Sequence, residues 1–93
     1  MGVENIRSQA ARTDNGVVLR NVDRETMRVE YGGRVMDVQV ERGVERSGIY
    51  LPPSPTWNDG EVVEEETLVL IKGAIVEIQE YWGFAADFLV LEV

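Results

Sequence analysis

The sequence predicts an α+β fold: a mainly antiparallel sheet of about four strands with one long helix laid across it, two layers in the order β-β-β-α-β. Three observations predict it. Gly32-Gly33 separates two runs of alternating apolar and polar residues. Leu68, Ile71, Ile75, Ile78 and Trp82 recur at steps of three and four, the period of one helix face. After Gly83 the chain turns into an apolar run, Asp87 to Val93, of strand composition. At 93 residues, with 44% hydrophobic and 28% charged side chains, the chain has material for one modest core.

Residues 1–16 hold few large apolar side chains and close on the turn signal Asp14-Asn15-Gly16. They read as a flexible N-terminal arm, with a short helical turn over 4–12, ahead of a single α+β domain over 17–93. Val17 to Val22 is β-branched enough for a first strand. The hairpin Thr26 to Tyr31 and Arg34 to Val40 follows. Its two-residue glycine loop fits a type I′ turn and sets Tyr31 opposite Arg34. In that register Val29 faces Met36 and Met27 faces Val38, an apolar side, while Arg28 faces Asp37 and Thr26 faces Gln39, a wet side.

Ser47 to Leu51 reads as a short strand closed by Pro52-Pro53, and residues 52–58 as a stiff extended connection. Asn58 and Glu61 have the spacing of a capping box, with Trp57 and Val62 as its hydrophobic staple; a start nearer Val63, with Glu64, Glu65 and Glu66 in the first turn, is the alternative. Ala74 and Tyr81 widen the core stripe, and Gly83 suits a left-handed cap. The last strand is apolar on both faces, which places it inside the sheet.

Composition removes much chemistry. There is no Cys and no His, so thiolate nucleophiles, thiolate zinc sites and the usual general base are missing. Nine cations against 17 acids leave a net charge of −8, which disfavours phosphate backbones and anionic membranes. Arg20, Arg24, Arg28 and Arg34 gather near the hairpin, but only Tyr31 is interleaved with them. Glu64-Glu65-Glu66 point about 100° apart on a helix and cannot converge on one ion. The expectation is therefore no catalytic site, no metal, no cofactor and no nucleic-acid partner. No apolar run approaches the roughly 20 residues that span a bilayer, and the amino end lacks a signal-peptide core, so the cytoplasm is expected.

Two features read as contact surfaces. Val69 and Val76 lie off the core stripe beside Glu66, Gly73, Glu77 and Glu80, an apolar seam flanked by acids. Trp57 either covers the start of the helix or stands out as an anchor.

The hairpin VEYGGRVMDVQVE, the segment IYLPPSPTW, the stretch DGEVVEEE leading into the helix, and the WGF that ends it carry a resemblance. From about Thr26 to Val90 the chain resembles a family of bacterial immunity proteins associated with polymorphic toxin systems. The prolines precede Trp57 here, where the family pattern has them follow. The resemblance implies a non-catalytic protein that neutralises a cognate toxin domain, and it brings no contact residues with it; the net charge of −8 suits a basic toxin domain as the partner. Two other readings stand beside it. One is a structural or assembly subunit, a homodimer through the Val69 and Val76 seam or through an unpaired sheet edge rather than a monomer. The other is a carboxylate-dependent enzyme using Asp37, Arg28 and Tyr50.

Overall fold

A computed structural model describes residues 2–7 and 10–90. Its sheet has seven strands in the order of the chain: β1 (Val3–Arg7), β2 (Ala10–Thr13), β3 (Val18–Asn21), β4 (Thr26–Tyr31), β5 (Arg34–Arg42), β6 (Arg46–Leu51) and β7 (Ala85–Val90). The first six form an antiparallel meander. One helix, α1 (Glu65–Tyr81), crosses back so that β7 pairs with β6 in parallel. The helix touches β7 at one end of the sheet and β2 and β1 at the other, so the sheet curls around it as a half-barrel.

This architecture corrects the expected two-layer sandwich of about four strands. The correction begins at the amino end, where residues 3–7 and 10–13 form β1 and β2 instead of a helical turn over 4–12. Ala10 and Ala11 are fully buried, and Ala11 belongs to the core cluster. Small side chains on β2 let the helix come close at that end of the sheet.

The central hairpin has the expected register residue for residue, from Thr26 opposite Gln39 to Tyr31 opposite Arg34. Gly32 and Gly33 carry φ of 60° and 78°, the positive values that a type I′ turn demands. Met27, Val29, Met36 and Val38 are at most 2% exposed and meet Leu19, Ile49, Ile71, Ile75 and Ile78 in one core on the concave side.

Asn58 and Glu61 do not start the helix. Residues 57–61 close a tight turn: the Trp57 N–H donates to the Glu61 carbonyl at 2.8 Å, the Glu61 N–H donates to Asp59 Oδ1 at 2.9 Å, and Gly60 has φ of 91°. The Asn58 N–H donates to the Val35 carbonyl and pins this turn to β5. Val63 is buried beside Trp57 in the core, whereas Val62 is exposed, so no staple forms between Trp57 and Val62. The last strand is not interior but the terminal strand of the sheet.

Candidate protein-binding surface

Helix α1 begins at Glu65 with Glu64 as its cap residue, and the Glu64 side chain makes no capping hydrogen bond. Its start is favoured instead by the carboxylates of Glu65 and Glu66 at the positive end of the macrodipole. Its end is a Schellman motif. The Gly83 N–H donates to the Glu80 carbonyl at 3.0 Å and the Phe84 N–H to the Gln79 carbonyl at 2.8 Å, with Gly83 at φ 93°.

The inner face carries Ile71, Ala74, Ile75, Ile78 and Gln79, all buried; the Gln79 amide donates to the Met27 sulfur at 3.3 Å. Leu68 and Trp82 pack at its margin. Tyr81, expected on this stripe, is 54% exposed and turned away from it. The outer face carries Glu66, Val69, Gly73 and Glu80, all exposed, with Val69 at 67%. Val76 and Glu77 flank them and are half-buried. Six of the seven residues singled out in the sequence thus lie together on one helix face. The seventh, Trp57, is 5% exposed in the core, and its ring presents nothing to a partner.

Gly73 has an ordinary helical φ, and a Cβ built on it would meet nothing within 4 Å. Neither backbone geometry nor packing requires glycine there. The helix cation Lys72 lies 5.6 Å from the Phe88 ring centre, a cation–π contact with β7. Among the described residues no cation pairs with Glu64, Glu65, Glu66, Glu77 or Glu80.

The convex face of the sheet is equally charged but internally matched. Arg12 pairs with Glu4 at 3.0 Å, Arg20 with Glu30, Arg28 with Asp37 at 2.8 Å and Arg46 with Asp87 at 2.6 Å, each across neighbouring strands. Arg34 approaches Asp59 at 3.8 Å, and Arg42 donates to the Asn21 side chain and the Arg24 and Asp23 carbonyls. Hydrogen bonds from Arg46 hold the Asp87 carboxyl below the usual carboxylate range. The hydrogen bond from Tyr50 to Glu41 raises the phenol above its ordinary value, and the bond to Asp37 does the same for the Arg28 guanidinium.

Arg28 and Asp37 are therefore occupied with each other, and Tyr50 with Glu41 at 3.0 Å. Of the hairpin arginines, Arg20, Arg28 and Arg34 each face a carboxylate, which leaves little net positive field there. Among the described residues no group of three or more acidic side chains is placed to hold a metal ion. No described helix is long and apolar enough to cross a membrane.

No family model matches the chain, and neither a curated protein nor a solved structure matches it significantly. The surface must be read from its own chemistry. Two further parts adjoin it, and only one of them escapes a reading by helical periodicity. Glu65 stands in the first turn on the flank that carries Lys72, and the outer edge of β7 adjoins that flank. The first was legible in the helical wheel; the second depends on strand order, which pattern does not give.

Proposed function

We propose that the chain is a non-catalytic protein-binding module, most concretely an immunity protein that neutralises a basic toxin domain in the cytoplasm of the producing cell. The observation that carries this reading is the position of Glu77 and Glu80. They sit near the carboxyl end of α1, where the macrodipole is already negative, and the last turn holds no basic residue. Glu80 lies beside Val69 and Val76 on the outer face and the half-buried Glu77 flanks it, both without ion-pair partners among the described residues. An acid at the end of the helix costs stability, and the exposed Val69 adds nothing to the core. A local rule broken without internal compensation is what a docking surface looks like. An excess of unpaired carboxylate also accelerates encounter with a basic partner.

The test is coexpression with the toxin domain, sought as the product of the neighbouring gene. The parent chain protects the cell, and Glu77→Lys with Glu80→Lys does not. In solution the double variant associates with that domain more slowly and with a weaker dependence on salt. Unchanged rate and salt dependence would remove the helix face from the interface, and failure of the parent to bind or protect would remove the toxin reading altogether.

A further inference from the structure

We infer that the open edge of β7 is where a partner protein docks an extended segment bearing Lys or Arg, which joins the sheet beside β7 under the acidic flank of α1. The inference rests on the binding reading above and specifies its mode. β7 is the last strand in the sheet order, so one of its edges is paired with β6 and the other, among the described residues, with nothing. The Ala85 N–H is spent on the Glu45 carbonyl, on the β6 side. Strand alternation then turns the main-chain groups of Ala86, Phe88 and Val90 towards the open edge.

The two edges of the sheet are defended unequally. Each edge strand carries one ion pair to its neighbour, Glu4 with Arg12 on β1 and Asp87 with Arg46 on β7, but β1 also has a register irregularity between Asn5 and Arg7, which discourages a further strand. β7 runs through six residues, Ala85–Val90, in unbroken register with β6 and contains no Pro, Lys or Arg. Its composition is that of an interior strand, and Leu89 stands 43% exposed on its convex side. An interior-type strand at an edge is a template for pairing.

Charge selects the occupant. Lys72 over Phe88 shows which flank of α1 looks towards β7. From Lys72 outward, Glu65, Val76, Val69 and Glu80 follow within about 80° around the helix, at 100° per residue. A strand added at the edge would pass Lys72, already engaged over Phe88, and meet Glu65 and Val76 first, with Val69 and Glu80 beyond them; among the described residues neither carboxylate has a cation of its own. A second copy of this chain, at −8, brings more acid to that place; a segment alternating apolar residues with Lys or Arg satisfies both the valines and the carboxylates.

The experiment is an amide-resolved NMR titration of the full chain with the peptide acetyl-Val-Lys-Val-Lys-Val-Lys-Val-amide. The Ala86 and Phe88 amides should shift saturably and gain about tenfold or more in protection from exchange, with Ala85 and Asp87, bonded to β6, changing less. Ala86→Pro removes an outward N–H and leaves the ladder to β6 whole, so it should weaken the peptide by about tenfold or more. The same loss is expected with the parent protein when the peptide is N-methylated at alternate residues, a result independent of how the variant folds. Shifts confined to the helix, or binding indifferent to N-methylation, would overturn the inference. Protection of Ala86 and Phe88 that rises with protein concentration in the absence of peptide would assign the edge to a second copy and overturn it equally. Toxin neutralisation that survives Ala86→Pro but not reversal of Glu77 and Glu80 would sink this inference while leaving the binding module intact.

Discussion

The convex face of the sheet and the outer face of α1 are both exposed and both charged, yet they are built on opposite rules. On the sheet, four arginines each meet a carboxylate across a strand boundary, at 3.0 Å or less. On the helix, the glutamates have no cation among the described residues, and Glu80 stands at the end of the dipole that repels it. The sheet face is complete in itself. The helix face leaves its carboxylates without a cation among the described residues, and that contrast is the physical basis for the interface proposed there.

The comparison can be sharpened by asking which changes cost stability and which do not. Trp57→Ala removes a core side chain and should destabilise the fold by about 3–5 kcal/mol in urea unfolding, the largest effect expected here. A loss well under 1 kcal/mol would mean the indole is a surface anchor after all. Gly73→Ala lies on the helix face, where the added Cβ meets open space, and should stabilise by up to about 1 kcal/mol. Destabilisation there would show that the outer face is packed against something.

On the sheet face, Asp87→Asn tests a matched pair. The native carboxyl is held below its ordinary value by Arg46, so its contribution is present above the usual Asp range and lost as pH falls through the depressed native value. The stability gap between parent and variant should therefore close on acidification. A gap that persists or widens at low pH would show that the pair is not what the carboxylate contributes.

Much of this contrast was legible before any coordinates. The hairpin register followed from two glycines and one alternation, and it placed Arg28 against Asp37 correctly. The outer helix face followed from a 3.6-residue period, which separates Glu66, Val69, Gly73 and Glu80 from the buried isoleucines. What escaped the sequence depends on distance along the chain. β1 and β2 are strands because they close the sheet around a helix more than fifty residues away, and Ala10 and Ala11 carry no β preference that would announce it. At Asn58 two local signals competed. The turn won because Gly60 adopts a positive φ, which the first turn of a helix excludes, and because the Asn58 N–H, which a capping box would give to the Glu61 side chain, donates to the Val35 carbonyl. The last strand was expected inside the sheet because side-chain composition reports which faces are buried and says nothing of which edges are paired.

The most direct test reads two quantities on one variant, Glu80→Lys. If the helix face is held for a basic partner at a cost to the fold, the variant should be more stable than the parent by about 0.3–1 kcal/mol, because a cation now sits at the negative end of α1. The same protein should bind the toxin domain about tenfold more slowly at low ionic strength. Opposite signs in folding and binding support the account. A variant that loses stability, or that gains it and still binds at the parent rate, contradicts it.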